Sequence, residues 1–397
     1  MKNQKIILFL IILLLVNICG TGWSASDNPE LKERASFEGG KLYTAGKMNI
    51  LVLKGTYKQM GRQYGKLLET QLNDFYETAI EGYFVKKGDI PYEEMKGLAN
   101  FNVSRYPERF RDILQGIAET SGMDLDKIMI LDQLIDIQTL NKDNTKCAAI
   151  VAWGDYTGEK PLVFGRNFDY PEAYKKFADF LMVTVYNPTD GSNPVAAVGY
   201  PAQIDLLTGM NNKGLFLELN DGDSSGGAIF YPDRLNIPIE NLAWLLDSST
   251  MTQLHTAIIS TRTDYPVIIN VSDASSAYSY ECATFDTKQR SPMQKGLLVA
   301  TNYFVDPSWG IADPPDGSWK TITRRKNLLA LGKKYKGKID PGVMKEILGT
   351  TIAQGGGTFP DRTIYQVVAM PKDLTIWVKA VGGQDWVKID LRSLFSE

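Results

Sequence analysis

The sequence predicts an α+β protein, with runs of strands and clustered helices rather than alternating strand–helix–strand units. Three observations carry this. Short runs of β-branched and aromatic residues recur from Cys147 to about residue 390. Helical periodicity in that region is confined to about 238–260, 319–335 and 340–349. Before Cys147 the patterning is largely helical. A chain of 397 residues suffices for one large domain or two ordinary ones.

Residues 1–26 begin with Lys2 and Lys5, run apolar from Ile6 to Val16 and end in Gly22-Trp23-Ser24-Ala25-Ser26. A charged start, a short apolar core and small residues describe a secretory signal peptide, so export to the periplasm or the extracellular space is expected. The apolar run is short for a membrane span, which needs about 20 residues. Cys19 invites lipid anchoring, but Ile18 stands before it where a small residue is expected.

Residues 27–50 are polar and read as loose up to a strand over Met48–Gly55. Met60, Tyr64, Leu67 and Leu68 mark a helix, and Gly61 and Gly65, one turn apart on it, read as a close helix-packing pair. Tyr92 to Ile137 is again helical, with Pro107 starting one helix and Gly122 separating two. A polar loop fills 140–146. Cys147–Trp153 and Pro161–Arg166 then form a hairpin, and strands follow at Phe180–Tyr186, Val195–Val198, Leu215–Asn220, Val267–Val271, Ala277–Ala283, Leu297–Asn302, Thr363–Met370, Leu374–Ala380 and Trp386–Ile389. The organisation is thus a signal peptide (1–26), a largely helical N-terminal segment (27–146) and a second unit (147–397).

Forty-three basic against 46 acidic residues leave no electrostatic footprint for nucleic acid. No phosphate loop or nucleotide fingerprint is present, and no metal or organic cofactor is implied. The chain has one histidine, His255, in a stretch that reads as an ordinary helix. Hydrolases built on a Ser–His or Cys–His pair would all have to use it.

Cys147 offers chemistry that needs no histidine. It opens a strand directly after a polar loop, so one peptide cleavage behind Lys146 would make it a chain terminus. A free α-amine has a reference pKa near 7.7–8.0, a workable general base near neutrality. One residue would then carry both nucleophile and base. The bland alternative is a small buried hydrophobe at a strand start.

The surrounding motifs weigh toward the chemistry. Cys147-Ala-Ala-Ile-Val-Ala, followed one hairpin later by Gly165-Arg166-Asn167-Phe168-Asp169, resembles the choloylglycine hydrolase superfamily of N-terminal nucleophile (Ntn) hydrolases. The likeness is to its acid ceramidase, N-acylethanolamine amidase and isopenicillin N acyltransferase branches. The resemblance implies a four-layer αββα fold with an N-terminal helical pro-segment. It places Arg166 near the thiol and Asp169 on the new α-amine. Gly209-Met-Asn-Asn-Lys-Gly-Leu215 and its strand resemble the turn leading to the oxyanion donor, here Asn220. Ala300-Thr301-Asn302 supplies a second polar site residue, and Thr321-Ile-Thr-Arg-Arg325 a site arginine, assigned to Arg324 over Arg325. The family often has Thr or Ser after the nucleophile, whereas Ala148 and Ala149 stand here.

The implied activity is self-cleavage between Lys146 and Cys147, then cleavage or transfer of a small-molecule N-acyl amide through a thioester on Cys147. The cleaved N-terminal segment is expected to stay bound, and the sequence leaves open whether the chain forms a homo-oligomer. Phe168, Tyr170, Tyr200, Tyr303 and Trp319 either line an apolar pocket or pack conventionally. Three rivals stand beside this reading. They are an uncut binding protein of the same fold, a secreted binding module with a Cys147–Cys282 disulfide, and a serine hydrolase using His255.

Overall fold

A computed structural model describes residues 28–140, 146–222, 225, 230–290 and 295–396; the signal-like segment 1–26 lies outside them. The N-terminal segment opens with three antiparallel strands, β1 (Leu31–Phe37), β2 (Gly40–Ala45) and β3 (Met48–Gly55). The stretch 27–50, read as loose, is therefore mostly strand, and the segment to 146 is not purely helical. β1 escapes a pattern reading because it is an edge strand, exposed on both faces apart from half-buried Phe37, and its sequence shows no apolar alternation.

Six helices follow: α1 (Tyr57–Leu67), α2 (Glu69–Phe75), α3 (Tyr92–Val103), α4 (Glu108–Ser121), α5 (Leu125–Asp132) and α6 (Leu134–Leu140), with a π-helical stretch over Tyr76–Val85. α1 starts at a capping box between Thr56 and Gln59. It crosses α4 at backbone contact: a Cβ on Gly61 would stand 2.9 Å from Gly116 Cα, and one on Gly116 would stand 2.5 Å from the Lys58 carbonyl oxygen. The Gly61–Gly65 pair is thus a packing device.

The rest of the chain supplies β4 (Lys146–Ala152), β5 (Val163–Asp169), β6 (Met182–Pro188), β7 (Val195–Gly199), β8 (Thr208–Asn211) and β9 (Phe216–Asp221). Helices α7 (Ile237–Asp247) and α8 (Met251–Ser260) precede β10 (Val267–Ser272), β11 (Ala277–Cys282), β12 (Thr287–Arg290) and β13 (Leu297–Ala300). Next come α9 (Thr321–Lys334), α10 (Pro341–Gly349), β14 (Thr363–Met370), β15 (Thr375–Ala380), β16 (Val387–Asp390) and the short α11 (Leu391–Leu394).

Two sheets result. One has ten strands in the order β1-β2-β3-β6-β7-β8-β9-β10-β11-β12, the other six in the order β13-β4-β5-β14-β15-β16. Pairing within them is antiparallel except between β3 and β6, where the N-terminal segment joins the later chain in parallel from Asn49↔Met182 to Gly55↔Pro188. The sheets stack with β4 over β9 and β13 over β11. α9 and α10 cover the outer face of the six-stranded sheet, while α1 and α7 lie on the ten-stranded one. The architecture is four layers, αββα.

Period-two alternation sorts β4 between two cores. Ala148, Ile150 and Ala152 join the cluster under α9 and α10 with Leu328, Met344 and Ile347. Cys147, Ala149 and Val151 join the large cluster that runs between the sheets. On β9, Phe216 meets Phe164 of β5 with ring centroids 4.6 Å apart, so Phe216, Glu218 and Asn220 share the face toward the six-stranded sheet. The cysteine therefore points into the space between the sheets, toward polar side chains of β9.

Candidate active site

The hairpin β4–β5 sets the register: Cys147 lies opposite Phe168, and Lys146 opposite Asp169. Two residues before Phe168 on the same face stands Arg166, fully buried. Its Nη2 lies 3.5 Å from Cys147 Sγ and 3.0 Å from the Leu219 carbonyl oxygen. Its Nη1 donates to the Leu207 carbonyl and lies 3.1 Å from Glu218 Oε2. Glu218 is itself fully buried, and its Oε1 accepts from Asn270 Nδ2. An ion pair in an apolar inter-sheet core costs several kcal/mol of desolvation per ion. Packing alone gives no reason to place one beside a cysteine.

Electrostatics follow from this burial. Desolvation pushes the Cys147 thiol up to about 11; Arg166 pulls it down, and the carboxylates of Asp169 and Glu218 push it further up. Desolvation pushes Glu218 up to about 7 against the opposing pull of Arg166 and Asn270. Near neutral pH the sulfur is thus a protonated thiol, and a nucleophilic role would need a base to take its proton.

Asn302, just past the end of β13, grips the bond ahead of the cysteine. Its Oδ1 accepts the Cys147 backbone N–H at 3.0 Å, and its Nδ2 donates to the Asp221 carbonyl oxygen at 2.8 Å. Its own N–H donates to Thr321 Oγ1 at 3.0 Å, and Thr301 Oγ1 donates to the Thr321 carbonyl oxygen at 3.0 Å, so the start of α9 fixes it. Asn220 Nδ2 reaches the Thr301 carbonyl oxygen at 3.2 Å, while its buried Oδ1 has no hydrogen-bond partner among the described residues.

Asp169 and Arg324 form a second fully buried pair at the end of β5. The Asp169 carboxylate also accepts from Thr363 Oγ1 at 2.5 Å, and Arg324 Nε donates to the Gly357 carbonyl oxygen at 2.8 Å. Burial raises Asp169, and Arg324 and Thr363 oppose that rise. It is Arg324, not the half-buried Arg325, that reaches Asp169. The Asp169 backbone, rather than its carboxylate, hydrogen-bonds the sulfur.

Cys147, Arg166, Asp169, Asn220, Asn302 and Arg324, remote in sequence, thus converge on one end of β4. Lys146 is 3% exposed, its Nζ 3.2 Å from Asp221 Oδ2. Pattern reasoning missed Glu218, Thr363 and Tyr365. Tyr365 stacks on Phe168 at 4.3 Å, and its hydroxyl lies 3.1 Å from Thr208 Oγ1. A signal for Glu218 was present: it stands two residues before Asn220 on one strand, hence on the same face.

The aromatic candidates pack in the main. Phe168 is sandwiched between Tyr170 and Tyr365, and Tyr200 stacks on Phe75 at 5.5 Å. Tyr303 is buried, and Trp319 meets Phe359 edge-on. His255 pairs through Nδ1 with the Tyr280 hydroxyl at 3.0 Å, and none of the Cys147 cluster is among its hydrogen-bond partners. Cys147 and Cys282 are separate buried thiols, not a disulfide. Among the described residues no group of His, Cys, Asp or Glu side chains is arranged to hold a metal ion, and no helix is long and apolar enough to cross a membrane.

No family model and no curated protein matches the chain. Among solved structures it is similar to an N-acylethanolamine-hydrolyzing acid amidase ortholog of Caenorhabditis elegans, at 18% identity over 57% of this chain and 93% of that one, with a TM-score of 0.42. It is also similar to a mutant conjugated bile acid hydrolase from Clostridium perfringens (15% identity, 62% and 94% of the chains, TM-score 0.42) and to penicillin V acylase from Agrobacterium tumefaciens (12%, 62% and 86%, TM-score 0.41). These proteins belong to the superfamily that the Cys147 and Gly-Arg-Asn-x-Asp motifs resemble.

Proposed function

We propose that the chain is an exported Ntn cysteine amidohydrolase or acyltransferase that activates itself by cutting between Lys146 and Cys147. The observation that carries this reading is the buried Cys147 thiol facing the Arg166–Glu218 pair while Asn302 holds its backbone N–H.

In the self-cutting step the sulfur attacks the Lys146 carbonyl carbon and its proton passes to the Cys147 nitrogen. The C–N bond breaks, leaving a thioester and a free α-amine. Water then attacks the thioester, giving a carboxylic acid and restoring the thiol. Thereafter the α-amine takes the thiol proton when Cys147 attacks an N-acyl amide and hands it to the departing amine. Water or a second amine resolves the new thioester. Asn220, with backbone donors near Arg166 and Asn302, stabilises the oxyanion. Asp169 and Arg324 hold the end of β5 against the new terminus. The N-terminal segment stays in place after the cut, because β3 is zipped to β6.

Intact mass and N-terminal sequencing of purified wild-type protein, beside Cys147→Ala, test the reading. Two wild-type fragments, one starting at Cys147, with an uncut variant, support it. A wild-type chain that stays whole under maturing conditions overturns it in favour of an inactive binding protein of the same fold.

A further inference from the structure

Glu218 of β9 stands opposite Asn270 of β10, Asn270 opposite Ser279 of β11, and Ser279 opposite Arg290 of β12. The four form one straight row across neighbouring strands, and Ser272 lies two residues beyond Asn270 on the same face. That face is the one turned toward the six-stranded sheet. Glu218 meets Arg166 there, and Arg290 Nη2 donates to the Val299 carbonyl oxygen of β13 at 2.8 Å. All five side chains are buried. The row is nevertheless only partly bonded. Asn270 Nδ2 donates to Glu218 Oε1. Glu218 Oε2, Asn270 Oδ1, Ser272 Oγ, Ser279 Oγ and Arg290 Nη1 have no hydrogen-bond partner among the described residues. The row's ion pairs are at its two ends, with Glu218 Oε2 3.1 Å from Arg166 Nη1 and Arg290 Nη1 4.0 Å from Glu281 Oε1.

Strand pairing needs none of these side chains, since backbone groups make it. A polar atom left unpaired in a dry core is destabilising, and buried polar groups in native proteins are satisfied by protein or by internal water. A buried water typically makes about three hydrogen bonds to such groups. The layer facing the row is also thin. β4 and β13 stack over β9 and β11, and their inward residues include Ala149 and Ala300, opposite one another. Alanines reach less far across the roughly 10 Å between stacked sheets than larger apolar side chains do. We propose that this row is an internal water site: a file of bound waters between the sheets bridges Glu218, Asn270, Ser272, Ser279 and Arg290. The ion pair beside Cys147 is then solvated from within the protein rather than from the substrate side. A water donating to Glu218 Oε2 favours its carboxylate form, in which it pairs with Arg166. The groups facing Glu218 are Arg166 of β5, Asn270 of β10 and, acting through charge, Cys147 of β4 and Tyr365 of β14. The site belongs to the folded chain and does not depend on the cut.

The test uses the full chain carrying Cys147→Ala, which keeps every molecule in one piece, and adds Ser279→Ala or Ser272→Ala. In a hydrated row each hydroxyl holds a water, so its removal should lower the folding equilibrium constant in urea about fivefold or more. In a dry row the same change removes an unpaired buried hydroxyl and leaves that constant unchanged or raises it. A crystal structure of the Cys147→Ala chain with its bound solvent is the second measurement, for which neither serine variant has to fold. Ordered waters are expected within hydrogen-bond distance of Glu218 Oε2, Asn270 Oδ1 and Ser279 Oγ. Unchanged or raised stability in either serine variant, or side chains of the row packed together with no water between them, overturns the site. Wild-type protein that stays uncut overturns the proposed function and leaves the water site standing.

Discussion

The backbone N–H of Cys147 donates to Oδ1 of Asn302, 155 residues later in the chain, at 3.0 Å. The nitrogen that would become the α-amine is thus held by an amide side chain, while the Asp169 carboxylate is engaged by Arg324 and Thr363. On the proposed mechanism, Asn302 orients the scissile peptide in the precursor and the free amine afterwards.

Asn302→Ala removes the acceptor for a buried N–H and the donor to the Asp221 carbonyl. Each buried group left unpaired costs about 1–3 kcal/mol. The expected result is a chain that folds with reduced stability and is cut much more slowly, followed by the ratio of fragment to precursor over time in denaturing mass spectra. Cutting at the wild-type rate would show that Asn302 holds the strand end and nothing more.

Glu218→Gln removes a negative charge that pushes the Cys147 thiol up and leaves Arg166 to act on the sulfur with less opposition. The pH at which iodoacetamide alkylation of Cys147 rises should move down from about 11. A Cys282→Ala background isolates the signal, since Cys282 is the other thiol in the described residues. An unchanged or higher midpoint would show that burial alone sets this thiol.

Asp169→Asn and Arg324→Leu each strand one member of a fully buried ion pair. Breaking such a pair from one side costs about 3–5 kcal/mol. Either variant should lose that much in denaturant unfolding and fail to cut. The double variant should recover part of the stability without recovering the cut.

A second buried acidic group lies where the N-terminal segment meets the later chain. Asp132 Oδ2 accepts from the Tyr106 hydroxyl at 2.9 Å, and its Oδ1 accepts the Ile204 N–H at 3.0 Å. Asp136 Oδ2 accepts from Asn236 Nδ2 at 3.1 Å and Asn102 Nδ2 at 3.2 Å. Burial pushes both carboxyls up to about 6. Their folded values lie above the unfolded one, so the folded chain binds protons more readily than the unfolded chain. The stability they contribute is complete below the unfolded value and is lost as pH rises through about 6. Thermal unfolding should therefore come earlier at pH 7.5 than at pH 5, with Asp132→Asn reducing the difference. A Tm that rises over that interval would contradict this.

Legibility in the sequence divided along physical lines. Cys147, Arg166 and Asp169 could be read because they lie on one hairpin, where spacing fixes register. Asn302 and Arg324 needed resemblance, since nothing local says that the end of β13 meets the start of β4. Glu218 was hidden because a glutamate within a strand reads as solvent-facing, and only the stacking of two sheets turns that face inward. β1 was hidden for the opposite reason: almost no core lies against it, so its few apolar residues show no alternation. The Gly61–Gly65 spacing was readable because only glycine permits the approach seen at Gly116.

The order in which the chain is made adds a consequence to the wide spacing of the site. Asn302, Arg324 and Thr363 leave the ribosome long after Cys147, and Thr363 is 194 residues beyond the Asp169 it hydrogen-bonds. On the proposed mechanism a nascent or truncated polypeptide carries the nucleophile but not the parts that place it. Arming is then a late event, available only to finished molecules, and the cut itself certifies that synthesis and assembly are complete.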